Sequence, residues 1–107
     1  MIETYAHPDC CELVFSWDGD KNRTNRGKHK LSFELASLVF HDPTILSDFN
    51  RTVAQEDRFQ SLGLVGRTLL LVIHSEKVYE NVQTIRIISA RKATKQERAQ
   101  YRGRTGR

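Results

Sequence analysis

Residues 83–90, Gln-Thr-Ile-Arg-Ile-Ile-Ser-Ala, form the clearest strand signal in this chain of 107 residues. Ile85 and Ile87 fall on one face of an extended segment, while Arg86 and Ile88 fall on the other. An arginine inside such a run can cover the sheet with its aliphatic stem while its guanidinium stays in water. If helices cover the isoleucine face, Arg86 projects from an open face of the sheet.

The residues that follow this strand predict a final helix. Thr94 and Glu97 have the spacing of a capping box, so a helix should begin there and run to about Tyr101. Arg91 and Lys92 stand just before it, where cations oppose the helix dipole. A bound phosphate would recruit both side chains, whereas a plain solvated turn is the alternative.

Upstream of residue 83, the pattern predicts six further strands or helices. Asp18 and Ser32 are placed to cap two helices, residues 19–29 and 33–40. Alternation and turn residues indicate strands at 12–17, 44–48, 56–64 and 68–74. The order β-α-α-β-β-β-β-α predicts an α+β domain with a twisted, mainly antiparallel sheet whose helices pack on one face.

The first predicted helix has no apolar side chain between Gly19 and His29. A helix that is polar all round needs polar contacts to the rest of the domain to be held in place. Its stripe of Lys21, Asn25 and Lys28, with His29 beside it, could bind phosphates. The alternative is that the amides and His29 make structural hydrogen bonds while the lysines are solvated.

Glu56 and Arg58 fall on the polar side of their strand and could share the open face with Arg86. A glutamate beside two arginines is often only a structural ion pair. The same groups suffice to cleave a phosphodiester without a metal ion, because the carboxylate takes a proton and the cations hold the phosphate charge. A module that binds nucleic acid or protein without catalysis would not need this set.

Charge and composition limit the class of protein. The net charge is +4, and residues 86–107 hold eight basic residues against one acid, which favours a polyanionic partner such as nucleic acid over a merely solvated basic end. The length indicates one domain over residues 1–107. No apolar run is long enough to cross a membrane. Neither zinc-ligand spacing nor a nucleotide-binding loop occurs, so we expect no metal or organic cofactor.

The two cysteines, Cys10 and Cys11, are adjacent in the sequence. Adjacency disfavours a disulfide between them, and two cysteines provide no framework for a small secreted protein. The first twelve residues carry three acids and no apolar core, which is not typical of a signal peptide. We therefore expect a reducing, cytoplasmic location.

These motifs together resemble the BrnT toxin family. The resemblance spans about residues 13–101, in the family's order and spacing, and leaves 1–12 and 102–107 outside as loose ends. Lys30 stands where the family usually has glycine, and Lys77–Gln83 is longer than the usual hairpin. The segments that carry the resemblance are Phe15-Ser16-Trp17-Asp18, Lys21-Asn22-Arg23, Asn25, Lys28-His29, Ser32-Phe33-Glu34, Ala36, Val39-Phe40, Asp42-Pro43, Glu56, Arg58, Leu62-Gly63, Ile85–Thr94, Glu97-Arg98 and Tyr101.

The resemblance implies a RelE-like ribonuclease, the toxin of a type II toxin–antitoxin module. Its implied partners are RNA, a BrnA-like antitoxin with a ribbon-helix-helix domain, and operator DNA reached only through the toxin–antitoxin complex. On residue chemistry, supported in position by the resemblance, we expect Glu56 to be the general base and Arg58 and Arg86 to stabilise the phosphorane. The expected RNA-binding residues are Lys21, Lys28, His29, Arg91 and Lys92, with His29 also a candidate acid.

Overall fold

The computed structural model describes residues 2–6 and 12–105 of the chain. Six strands, three α-helices and one 3₁₀ helix account for most of them. In chain order the elements are β1 (Ile2–Ala6), β2 (Glu12–Trp17), α1 (Gly19–His29), α2 (Phe33–Ala36), the 3₁₀ helix (Ser37–His41), β3 (Leu46–Val53), β4 (Glu56–Val65), β5 (Thr68–Tyr79), β6 (Val82–Lys92) and α3 (Lys95–Thr105).

All six strands belong to one mixed sheet in the order β1-β2-β6-β5-β4-β3. Every pair is antiparallel except β2 and β6, which run parallel with Phe15 opposite Ile85. The parallel pair arises because the long helical and hairpin segment between β2 and β6 returns the chain in the same direction. The predicted α+β class with a mainly antiparallel sheet is confirmed.

The main core lies between the sheet and the segment formed by helix α2 and the 3₁₀ helix. Phe15, Phe33 and Val39 are fully buried there, together with Leu70 and Val72 of β5. At Gly63 of β4, a Cβ atom would lie only 2.7 Å from Cβ of Val39, so this glycine is what lets the 3₁₀ helix approach the sheet. We call this side of the sheet the covered face.

Helix α3 lies on the other face of the sheet, so the prediction that all helices share one face is wrong for this helix. Its Tyr101 packs with Leu62, Leu69 and Leu71, whose side chains alternate with the main-core residues and so point to the other side. The Tyr101 hydroxyl donates to Oδ2 of Asp42 over 2.6 Å, which holds α3 against the sheet. Helix α3 thus covers one end of this second face, and we call the remainder the open face.

Helix α1 is held by two buried asparagines, as its lack of apolar residues requires. Asn25 Nδ2 donates to the carbonyl oxygens of Leu31 (3.0 Å) and Ala90 (2.9 Å), and its Oδ1 accepts from the Ala90 N–H (3.2 Å). Asn22 Oδ1 accepts from the Phe33 N–H over 2.8 Å. Asn25 therefore takes the place of a neighbouring strand where β6 extends beyond β2.

Several boundaries differ from the sequence prediction. Residues 2–6 form an edge strand and residues 102–105 continue α3, although both were expected to be loose ends. The segment 33–40 is a short α-helix that tightens into a 3₁₀ helix. Strands β3, β5 and β6 are longer than predicted, so the hairpins are nearly all strand. The adjacent cysteines lie outside the described residues.

Candidate active site

Glu56, Arg58 and Arg86 come together on the open face, as the alternation of their strands predicts. Arg86 Nη2 donates to Oε1 of Glu56 over 2.5 Å, across the intervening strand β5. The same carboxylate oxygen lies 3.7 Å from Nε of Arg58. The exposed fraction of the side chain is 38% for Arg86, 28% for Glu56 and 18% for Arg58, so the cluster is accessible from solvent without being a loose surface pair.

The guanidinium of Arg58 is incompletely paired. Its Nε atom is buried, and no hydrogen-bond acceptor for it occurs among the described residues. An unsatisfied buried donor costs roughly 1–3 kcal/mol, and a charged group costs more. This donor is fixed next to Glu56, where it can donate to an anionic oxygen placed beside the carboxylate.

A β-bulge in β6 determines which cations reach this face. Ile73 pairs with Ser89 and His74 pairs with Ile87, so Ile88 is an extra residue without a partner on β5. Without the bulge, the odd separation of Arg86 and Arg91 would put their side chains on opposite faces. The extra residue restores both arginines to the open face, a role that bulges often have near functional sites.

Arg91 is positioned by helix α3. Its Nη1 and Nη2 donate to Oε1 and Oε2 of Glu97 over 2.8 and 3.0 Å. The Arg91 guanidinium holds the pKa of Glu97 below its ordinary value. Glu97 also accepts from the Thr94 N–H, which completes the predicted capping box. The ion pair with Glu97 therefore explains why a cation, Arg91, stands before the N-terminus of α3.

The α1 residues of the predicted RNA-binding set line a separate groove. Lys21, Lys28 and His29 face Ile88 and Ser89 of β6 across it. Ile88 and Ser89 also line the hollow that holds Arg58 and Arg91 on the open face. The two basic surfaces are therefore continuous through the bulge of β6.

Lys92 is the one predicted residue that does not join this surface. It follows Arg91 in β6, so its side chain leaves the opposite side of the sheet. It is exposed beyond the covered face, opposite Leu70 in the strand register. The prediction that Arg91 and Lys92 act together on one phosphate is not supported by this placement.

A second polar cluster, which the sequence did not indicate, lies on the covered face. His74 Nε2 and the Ser61 hydroxyl are 2.7 Å apart, and His74 Nδ1 lies 3.6 Å from Oε1 of Glu76. Ser61 and His74 are fully buried, and the ring of Phe40 packs edge-on against His74. Burial lowers the pKa of His74 to about 4, so this histidine is neutral at pH 7.

Two features are absent from the described part of the chain. No group of three or more His, Cys, Asp or Glu side chains there could hold a metal ion. No helix within 2–6 or 12–105 is long and apolar enough to span a membrane.

One of two comparisons with known proteins identifies a family. Residues 17–97 match the family model of the ribonuclease toxin, BrnT, of type II toxin-antitoxin systems. The chain thus falls in the class of ribonuclease toxins of type II toxin–antitoxin systems, which act on RNA and are paired with an antitoxin. Because the match covers most of the chain, the chain belongs to the BrnT toxin family, which confirms the resemblance. The comparison with curated proteins gives no match.

Proposed function

We propose that this toxin cleaves RNA without a metal ion, at the cluster of Glu56, Arg58 and Arg86. The observation that carries the proposal is the arrangement of one carboxylate and two arginines on an accessible face, where the buried Nε of Arg58 has no hydrogen-bond acceptor among residues 2–6 and 12–105. Transfer of the phosphoryl group to the neighbouring 2′-oxygen requires a base and fixed cations, and the cluster provides both.

The proposed step begins when Glu56 takes the proton of the ribose 2′-hydroxyl. The 2′-oxygen then bonds to phosphorus, and the bond from phosphorus to the 5′-oxygen of the next nucleotide breaks. Arg86 and Arg58 stabilise the negative charge that develops on the phosphorane oxygens. The leaving 5′-oxygen takes a proton, for which His29 is the candidate donor. The products are a 2′,3′-cyclic phosphate and a 5′-hydroxyl.

The continuous basic surface supports RNA as the ligand. Lys21 and Lys28 on α1 and Arg91 on β6 provide cations on both sides of Ser89, near the cluster. Contacts of this kind to phosphates position a nucleic acid and make its binding depend on salt. We expect the exposed Lys92 to contact a phosphate of the RNA outside the cluster.

The test is cleavage of RNA by the purified toxin in the presence of EDTA. We expect cleavage to persist and the products to end in a 2′,3′-cyclic phosphate or a 3′-phosphate. Expression without an antitoxin should arrest growth. Loss of cleavage in EDTA that a divalent metal restores would refute the metal-free mechanism. A 3′-hydroxyl product would refute attack by the 2′-oxygen, and tight RNA binding without cleavage would indicate a binding module.

The proposed protein partner is a cytoplasmic, BrnA-like ribbon-helix-helix antitoxin, whose complex with the toxin binds operator DNA. Because the toxin's surface is basic, we expect the antitoxin to present an acidic or mixed surface and to associate more slowly as salt rises. Blocking the basic surface is the simplest way to silence the site. RNA bound to an inactive Arg86→Ala variant should then be displaced by antitoxin, whereas a stable ternary complex would exclude this mode of inhibition.

A further inference from the structure

Two β-bulges flank one hollow in the open face. In β3, Phe49 pairs with Phe59 and Arg51 pairs with Arg58, so Asn50 is an extra residue there, as Ile88 is in β6. Both extra residues line the hollow, whose volume is about 430 Å³. Bulges of this kind redirect side chains next to binding and catalytic sites.

The floor of the hollow is apolar. Leu71 and Ile73 of β5 and Ile88 of β6 provide it, and Ile73 and Ile88 are only half-buried. These aliphatic side chains line the hollow together with Arg58 and Arg91. A small planar ring would bury this surface, in the way that apolar floors hold ligands in other pockets.

Two side-chain amides, those of Asn50 and Gln60, also line the hollow. Asn50 Nδ2 donates to Oε1 of Gln60 over 3.0 Å, which orients both groups. In this arrangement Gln60 Nε2 supplies a donor and Asn50 Oδ1 supplies an acceptor to a ligand in the hollow. A donor next to an acceptor is what side-chain amides use to recognise the edge of a nucleobase.

The hollow adjoins the proposed cleavage cluster. Arg58 forms part of its wall and lies 3.7 Å from Glu56. We infer that the hollow binds one unpaired nucleobase of the RNA, from a nucleotide next to the cleaved bond, and that Gln60 and Asn50 determine which base is accepted. A paired and stacked base could not enter it. This inference rests on the proposed function and names the substrate as single-stranded RNA.

The test is titration of the toxin with the four nucleoside 3′-monophosphates and with ribose 3-phosphate, which has no base. We expect one nucleotide to bind about 10-fold or more tightly than the least favoured one, since a good pair of base contacts discriminates by this order. The Gln60→Leu variant, which keeps the size and removes the amide, should bind the four nucleotides with nearly equal affinity. Ribose 3-phosphate should bind both proteins equally.

Gln83→Leu is the matched control. It makes the same change at a half-buried glutamine of β6 whose amide contacts Glu76 on the covered face, away from the hollow. The control should keep the wild-type order of affinities. The inference would be overturned if the wild type bound all four nucleotides with equal affinity. It would also be overturned if Gln83→Leu lost the differences in affinity as Gln60→Leu does. If Gln60→Leu does not fold, Asn50→Leu at an exposed position serves instead, with the same expectation.

Mapping of cleavage sites on a long RNA separates this inference from the proposed function. The wild type should cut in unpaired regions next to one preferred base, and Gln60→Leu should spread the cuts over all four bases. Cleavage whose base preference is unchanged in Gln60→Leu would refute the role of the hollow and leave the ribonuclease proposal standing. Selective nucleotide binding by a protein that cuts no RNA would support the role of the hollow and refute the ribonuclease proposal.

Discussion

The two faces of the sheet each carry a polar cluster near the middle of the sheet, and burial separates their roles. On the covered face, Ser61 and His74 are completely enclosed, and Phe40 packs against the imidazole. On the open face, Glu56 and Arg86 are partly exposed, and Nε of Arg58 makes no hydrogen bond within the described part of the chain. Ser61, His74 and Glu76 lie in a row that resembles the catalytic groups of a hydrolase. Because Ser61 and His74 are out of reach of a substrate, this cluster stabilises the fold instead.

The largest expected effect is that of Glu56→Gln on RNA cleavage. The amide keeps the size of the side chain but cannot accept the 2′-hydroxyl proton, so the rate should fall by about 100-fold to 10,000-fold. Single-turnover cleavage measures it, and Asp57→Asn, at an exposed neighbour in β4, is the control that should keep the wild-type rate. A Glu56→Gln protein that cuts at the wild-type rate would show that the carboxylate is only an ion-pair partner.

A substitution of His74 on the covered face should lower the stability of the fold and leave the cleavage rate nearly unchanged. His74→Ala leaves a cavity among Phe40, Phe59 and Ser61, and we expect the free energy of unfolding to fall by about 3 kcal/mol. The folded fraction should still cut RNA at nearly the wild-type rate. Urea unfolding and a cleavage assay at low temperature measure the two quantities. Lost cleavage in a stable His74→Ala protein would place the buried cluster in the chemistry.

The same histidine should make the fold sensitive to mild acid. Burial lowers the pKa of His74 to about 4, below the ordinary value of 6.5, so the unfolded chain takes up its proton first as the pH falls. Stability should therefore be unaffected above pH 6.5 and decrease by roughly 1.4 kcal/mol per unit between there and about pH 4.

Urea unfolding at several pH values in this range measures the slope. His74→Gln should remove it. A Glu76→Gln background isolates the histidine, because burial raises the pKa of Glu76 and its protonation acts in the opposite direction. A slope that persists in the doubly substituted protein would assign the acid sensitivity to other groups.

The smallest expected effect is at the C-terminal end of α1. Lys30 ends α1 in the left-handed conformation, with φ of 61°. Glycine adopts this conformation without strain, so Lys30→Gly should raise the free energy of unfolding by about 0.5–1 kcal/mol. Lys30→Ala, which keeps the Cβ atom, should not. A destabilised Lys30→Gly protein would mean that the lysine side chain itself holds α1.

The fold could be predicted from the sequence wherever local signals determine it. The caps at Asp18 and Ser32 and the box of Thr94 and Glu97 form the predicted hydrogen bonds. The turn from β3 to β4 gave no such signal, because Ala54 and Gln55 both adopt positive φ, where Asn-Gly is usual. The chain was therefore expected to form a loop where it forms a long hairpin.

The candidate site could be predicted only as far as strand alternation holds. Alternation brings Glu56, Arg58 and Arg86 to one face, because no bulge interrupts the pairing between them. The bulges at Asn50 and Ile88 shift the phase of their strands, and nothing local marks them. The hollow between them was therefore missed. The separation of Lys92 from Arg91 was missed for another reason, because the predicted strand ends at Ala90 whereas β6 continues to Lys92. Glu97, three residues into its capping box, was recognised as a cap but not as the partner of Arg91.

The most direct measurement is the single-turnover cleavage rate of Arg86→Ala together with its thermal midpoint. Arg67→Ala, at an exposed arginine in the turn between β4 and β5, is the matched control. Removing a donor that stabilises developing charge should lower the rate by about 100-fold to 1,000-fold. The midpoint should stay within a few degrees of the wild-type value. A variant that unfolds, or one that cuts RNA as fast as Arg67→Ala does, would contradict the assignment of cleavage to the open face.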